Sequence, residues 1–510
     1  MLFPLIHLAT AYNRSQPANP SAPSLYDPPS DLVADAVNTR THVLHADGDV
    51  KISRELKWDN LDPENPQIVS NRLIVETGND ADHIHVRTWP GAELRIFING
   101  KAYGFDADVE QGPQQTLWVH CNGGDDQVIV DDDVVIDVSV FAGDGDDSIR
   151  AGGGRSRLYG ERGNDRLRLG SGLGYASGGD GDDDTHGGTG NAVMYGNRGN
   201  DRIQAGLGPA TQQSYVDGGD GKDVLLAGNG HTVLHGGNDD DHLVARGRTT
   251  LYTGKGNDLI ENNQRGDRIY AGPADRFDRT QGSAVTEVTP SDAGEQGFSV
   301  QGDEAFKQQV ADDFEFLRSS PIGQQALAQM DELARANGGK VTLEPIGLGE
   351  TSYVYGSAAL DNLVTGTDPH IERSDLGEIV DGVAGSRADR ATIYYDPASI
   401  VESADRTNTV VPVTGLFHEI AHAYNGATGT FLQGSSIEVL ASGRWNVVKH
   451  EEQQVIGLPS RATPFDFDND PSTPPSTINP KPFTENALNE EMDKPLRQTY
   501  ALGTSDQGQG

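Results

Sequence analysis

A triplet, Gly-Asn/Asp-Asp followed by an apolar residue, recurs down the middle of the chain and restricts its fold more than any other feature. It appears at Gly145-Asp-Asp147, Gly163-Asn-Asp165, Gly181-Asp-Asp183, Gly199-Asn-Asp201 and Gly256-Asn-Asp258, with Gly221-Lys-Asp223 and Asp241 continuing the series in variant form. The first four aspartates step by 18 residues, and the later ones by 22, 18 and 17. A fixed period of this kind, one strand-and-turn unit per step, predicts a solenoid in which each unit buries its apolar residue against its neighbours. Residues 71–90, 94–108 and 116–141 alternate apolar β-formers with short turns. Gly78-Asn-Asp80 and Gly124-Asp-Asp126 read as irregular early copies of the repeat.

The run Gly218-Gly-Asp-Gly-Lys-Asp223-Val-Leu225 resembles the GGxGxDxUx nonapeptide of RTX proteins. The resemblance implies a right-handed parallel β-solenoid (a β-roll) whose loops bind Ca²⁺ through Asp147, Asp165, Asp183, Asp201, Asp223, Asp241 and Asp258. Glycine allows the tight backbone path, and carboxylates and carbonyls are the hard oxygen ligands calcium takes. The pattern departs from the family in one respect. The aspartate occurs once per 18 residues, and the intervening halves around Gly154, Gly172, Gly190 and Gly208 lack it, so calcium is expected along one edge only. A glycine-rich solenoid without metal is the competing reading.

Further on stands His418-Glu419-Ile420-Ala421-His422, an HExxH motif. On a helix, residues four apart share a face, so both imidazoles reach one metal ion while Glu419 is placed as general base. Thr414 is the expected N-cap and Gly426 the expected stop. The extended HExxHxxGxxH form is excluded by Asn425 and Thr428, which leaves Glu438, Glu451 and Glu452 as downstream carboxylates for a third ligand.

The motif is followed by Glu451-Glu452-Gln-Gln-Val-Ile-Gly457, Thr484-Glu485-Asn486 and Arg497-Gln-Thr-Tyr500. Over residues 303–503 this layout resembles the NleD-like zinc metallopeptidase effectors of type III secretion, and is similar to that of clostridial neurotoxin light chains. The resemblance implies an α+β zincin-type domain holding Zn²⁺ through His418, His422 and Glu451, with Glu452 as runner-up. It further implies Glu419 as the base, Glu485 as the carboxylate orienting His422 or its partner, and Arg497 with Tyr500 as donors to the oxyanion. Phe306, Val310, Phe314 and Leu317 predict one amphipathic helix; Leu327, Met330 and Leu333 predict another. Val341–Leu343 and Ala391–Tyr395 read as strands.

With 77 acidic against 39 basic residues the formal charge is −38, which argues against nucleic acid or an anionic membrane as partner. The single cysteine, Cys121, excludes an intramolecular disulfide, and no stretch is apolar for long enough to span a membrane. Residues 1–40 are expected to be a disordered export segment, 41–275 the solenoid, 276–302 a linker and 303–510 the metallopeptidase domain. Asp466, Asp468 and Asp470 read as a surface loop, and Arg265-Gly266-Asp267 as a chance tripeptide. The expected function is a secreted zinc endopeptidase effector that cleaves a host-cell protein, with its oligomeric state left open. The alternative is a calcium-stabilised adhesion protein carrying an inactive peptidase remnant. A type I secreted RTX protease fits less well, given the non-metzincin site and the central repeats.

Overall fold

The computed structural model describes residues 24–502, apart from 35, 92, 107–111, 347–350, 365–370, 404, 440–442, 444 and 469. The expected disorder of the N-terminus falls mostly outside the described residues, but residues 37–40 already belong to the first strand, Val37–Asp47. The described residues divide into two compact units at Asp180 and Gly181. The fold class is a parallel β-solenoid followed by an α/β domain.

In the first unit the strands Val37–Asp47, Val50–Asp59 and Gln67–Glu76 form an antiparallel meander. Thr116–His120, Val138–Asp144, Ser156–Arg162 and Gly174–Asp180 then add in parallel. A second sheet starts from antiparallel strands and adds Gln127–Val130, Ser148–Arg150 and Arg166–Arg168 in parallel. Register follows the repeat: Val128 stands beside Ile149 and Ile149 beside Leu167, so the apolar residue after each aspartate stacks into one buried column. This stacking is what the repeat preserves: Leu225 still stands beside Ile203 and Ile260 beside Leu243 although those coils differ in length, so the extra or missing residues fall in the turns.

The second unit opens with coils of the same kind. Long strands Ala192–Arg198, Gln213–Asp220, His231–Asn238, Arg248–Lys255 and Arg268–Ala271 form one wall. The short strands Asp184–His186, Arg202–Gln204, Val224–Leu226, His242–Val244 and Leu259–Glu261 form the other. Residues 276–302 are not a plain linker. Ala284–Glu287 extends the solenoid wall in parallel, and Phe298–Val300 pairs with Val341–Pro345 as the first strand of a separate four-stranded sheet. That sheet continues with Thr392–Tyr395 in parallel and ends on the antiparallel strand Ser352–Val354.

Among the described residues six α-helices complete the unit: α1 (Glu304–Ser319), α2 (Pro321–Asn337), α3 (Ala358–Val364), α4 (Pro412–Thr428), α5 (His450–Ile456) and α6 (Glu485–Glu491). The apolar positions expected on the first two are largely buried, including Phe306, Val310, Leu317, Leu327 and Met330. Helix α1 lies on the solenoid wall, where Phe316 packs edge-on against Tyr215, His235 and Tyr252. Beside it three carboxylates are buried. Asp313 accepts hydrogen bonds from the Tyr195 and Tyr395 hydroxyls, Asp312 accepts from Asn197, and Asp217 lies 2.9 Å from His235 Nδ1. Among the described residues no helix is long and apolar enough to cross a membrane.

Candidate metal centre

Helix α4 carries the HExxH motif and is buried along nearly its whole length. Its N-cap is Val411 rather than Thr414, with Pro412 at the first helical position, where a fixed φ favours helix and the missing N–H is no loss. It runs through Gly426 and stops at Gly429, whose φ of 71° is the left-handed cap that glycine takes without strain. Gly426 is required for another reason, since a Cβ there would run into the Tyr353 hydroxyl.

His418 and His422 point together at one carboxylate oxygen. Glu452 Oε2 lies 3.3 Å from His418 Nε2 and 3.4 Å from His422 Nε2, and the three ligand atoms all lie within 4.8 Å of one another. The carboxylate that joins the histidines is therefore Glu452, and the expectation of Glu451 is corrected. Glu451, its neighbour on α5, turns away to Lys449 at 2.9 Å. Glu438 is elsewhere, clamping the backbone amides of Tyr500 and Ala501 at 2.8 and 2.9 Å.

The orientation of α5 is fixed by a buried amide network. Gln454 Nε2 donates to Asn479 Oδ1 at 2.7 Å and to the Thr430 carbonyl at 3.0 Å. Asn425, on α4, donates to the same Asn479 oxygen at 2.9 Å. Asn425 thus ties the two helices together. Buried amides satisfied on this scale specify one geometry.

Behind the cluster, Glu485 is fully buried at the start of α6, where Thr484 caps the helix. Its Oε2 lies 3.1 Å from His418 Nδ1 and accepts from Arg497 Nη1 at 2.7 Å. Glu485 therefore orients His418 and not His422. Such a bond fixes the tautomer, leaving Nε2 free for a metal. Arg497 is itself held by Asn486 at 2.8 Å and also donates to the Tyr500 carbonyl. Its guanidinium serves Glu485 in this geometry, with Nε left as a buried donor without an acceptor. Tyr500 is partly exposed, its ring centroid 5.8 Å from the Arg497 guanidinium carbon.

Electrostatics follow the packing. Burial opposes charge on His418, but the bonds to Glu452 and Glu485 outweigh it and raise its pKa to about 10. Burial also opposes ionisation of Glu452, yet the two imidazoles hold its carboxyl well below the usual range. Glu419 is pushed up by burial, with the Tyr353 amide donating to its carboxylate. Tyr353 is the residue that sequence reading missed. It lies on the edge strand and its ring stacks near His422, with centroids 6.4 Å apart. Only the pairing of that strand with Thr392–Tyr395 brings it here, and no motif announces it.

The solenoid aspartates form ladders. In the first unit Asp147 Oδ1 accepts the Asp126 amide at 2.6 Å, and Asp165 Oδ1 the Asp147 amide at 2.7 Å. In the second, Asp201, Asp223, Asp241 and Asp258 accept the amides of Asp183, Asp201, Asp223 and Asp241 at 2.7–2.9 Å, and Asp275 continues the series. The other oxygen of Asp126, Asp147, Asp201, Asp223, Asp241 and Asp258 is buried without a hydrogen-bond partner. Burial raises these carboxyls, Asp201 to about 8 and Asp241 to about 10. A row of buried carboxyl oxygens without hydrogen-bond partners is a donor set that fits a hard cation. Asp267 of the Arg-Gly-Asp tripeptide is buried and occupied by the Thr249 and Gln264 amides. Asp468 and Asp470 close their own loop through Thr473 and Ser472.

Comparison with curated proteins and with solved structures gave no match. Residues 141–174, 177–209 and 217–247 match the RTX calcium-binding nonapeptide repeat, and residues 294–500, which hold every member of the metal centre, match the Peptidase_M91 family of effector proteins.

Proposed function

We propose that the chain is a secreted zinc endopeptidase effector that cleaves a protein of a host cell. The observation that carries this reading is the convergence of His418 Nε2 and His422 Nε2 on Glu452 while Glu485 occupies His418 Nδ1. Two imidazoles, one carboxylate and a backing carboxylate are the donor set of a catalytic zinc site. Zinc held there would supply Lewis acidity to the scissile carbonyl and make water a nucleophile near neutral pH.

The chain's own residues do the rest. Glu419, beside the first histidine and steadied by the Tyr353 amide, takes a proton from the attacking water and passes it to the leaving amine. Glu485 and Arg497 hold His418 in register. Tyr500 and the Nε–H of Arg497 are the donors proposed for the developing oxyanion. In the solenoid, Asp147, Asp165, Asp183, Asp201, Asp223, Asp241 and Asp258 are proposed to hold calcium, joined by Asp126 and Asp275.

The test is metal content together with cleavage. About one zinc per chain, lost in His418→Ala and in Glu452→Ala, with cleavage of host-lysate proteins abolished by Glu419→Gln, supports the reading. A protein that holds calcium but no zinc would instead be the adhesion protein with a peptidase remnant.

A further inference from the structure

Two of the three helices that deliver the metal-centre residues, α4 and α6, are tied to solenoid coils of the second unit, while α5 brings Glu452. Helix α6 carries Glu485 at its first residue, and the solenoid grips its other end. Tyr252 Oη donates to Glu491 Oε1 at 3.1 Å, Tyr270 Oη to the Glu491 carbonyl at 3.1 Å, and Thr250 Oγ1 to the Met492 carbonyl at 2.8 Å. Arg268 lies 2.7 Å from Asp493 and also donates to the Glu490 carbonyl, and Arg248 pairs with the same aspartate. At seven residues α6 is about 10 Å long and rigid on that scale, so displacement of its far end moves Glu485 against His418.

A second route leads to α4. Asn191, at the head of a solenoid strand, donates to Glu402 Oε1 at 2.7 Å and to Thr409 Oγ1 at 2.9 Å, and Gln213 donates to the Thr407 carbonyl. Those acceptors lie in the hairpin of Val401–Glu402 and Thr409–Val410, directly before Val411 and Pro412, which start the HExxH helix. Lys494, buried just past α6, donates to the Thr409 carbonyl at 2.6 Å and joins the routes. The gripping strands include those of the coils that carry Asp201, Asp223 and Asp258, whose buried oxygens lack partners.

We propose that these coils position the metal centre, so that cation capture by the solenoid aspartates is linked to zinc affinity at His418, His422 and Glu452. The proposal rests on the zinc reading above. Tyr252, Arg268 and Asn191 act as positioning residues. Without a cation, these buried carboxyl oxygens are left without a partner, and the cost of their desolvation favours opening of the coils; opening releases α6 and the hairpin, and the metal ligands lose their shared geometry. Linkage is reciprocal, so zinc tightens calcium by the same factor.

The experiment measures zinc affinity of the full chain by competition with a chromogenic chelator, with saturating calcium and after its removal. Calcium is expected to tighten zinc about tenfold in the wild type. In Tyr252→Phe/Arg268→Gln the calcium effect shrinks and the visible spectrum of the cobalt-loaded protein changes, while the calcium-dependent rise in Tm persists; Arg268→Lys retains the coupling. Asn191→Ser interrupts the other route and serves if the double variant fails to fold. Equal zinc affinity with and without calcium in a folded wild type overturns the proposal. A wild type that binds no zinc in either condition overturns the zinc reading, and the proposal with it.

Discussion

The carboxylate of Glu485 lies 3.1 Å from Nδ1 of His418, 67 positions earlier in the chain. It is fully buried and shared with Arg497. Glu485→Gln keeps the shape but removes the charge that favours the Nδ1–H tautomer. Such partners typically account for about 10–100-fold in metal affinity. Zinc titration of Glu485→Gln is expected to show a loss of that size, with Tm lowered as well because the buried Arg497 loses its counter-charge. Affinity equal to wild type would remove Glu485 from the site.

Glu452 and Glu451 differ in what they touch, and substitution separates them. Glu452→Ala deletes the oxygen on which both histidines converge and is expected to abolish stoichiometric zinc binding. Glu451→Ala breaks only a bond to a largely exposed lysine, worth about 0–1 kcal/mol, and is expected to retain zinc and activity. Elemental analysis of both variants decides it, and the reverse result would restore the assignment expected from the motif alone.

These residues also mark where sequence reading stops. The HExxH spacing and the 18-residue period are local, each set by one helix face or one coil, and both were legible. Adjacent residues on a helix point about 100° apart. The choice between Glu451 and Glu452 thus depends on how α5 is rolled, which the Gln454–Asn479–Asn425 amides settle from distant parts of the chain. The target of Glu485, His418 rather than His422, depends on how α6 meets α4. Phe298–Val300 looked like linker because its partner strand begins at Val341, beyond two helices.

Asp313 gives the contact between α1 and the solenoid wall a pH dependence. Burial, with the Asp217 charge nearby, pushes its carboxyl up to about 8 despite the bonds from Tyr195 and Tyr395. Between the unfolded value, about 3.9, and about 8, the folded protein keeps a proton that the unfolded chain releases. This contribution is therefore complete at low pH and lost as pH rises through about 8. Asp312 is raised in the same direction. Calorimetry across this window is expected to show Tm falling with pH in the wild type and falling less steeply in Asp313→Asn. Parallel slopes would show that Asp313 does not titrate in the folded state.

Gly426 offers a test in which helix propensity and packing predict opposite signs. In an exposed helix interior Gly→Ala stabilises by about 1 kcal/mol. Here the new Cβ would meet the Tyr353 hydroxyl, which is buried and without a hydrogen-bond partner. Overpacking of this kind costs about 1–3 kcal/mol, and it would push aside the strand whose Tyr353 amide donates to Glu419. Gly426→Ala is therefore expected to lower Tm and the cleavage rate together. Tyr353→Phe removes the obstructing oxygen without deserting any partner, so Gly426→Ala/Tyr353→Phe is expected to recover most of both. If Gly426→Ala raises Tm instead, helix propensity prevails and Tyr353 does not constrain the HExxH helix.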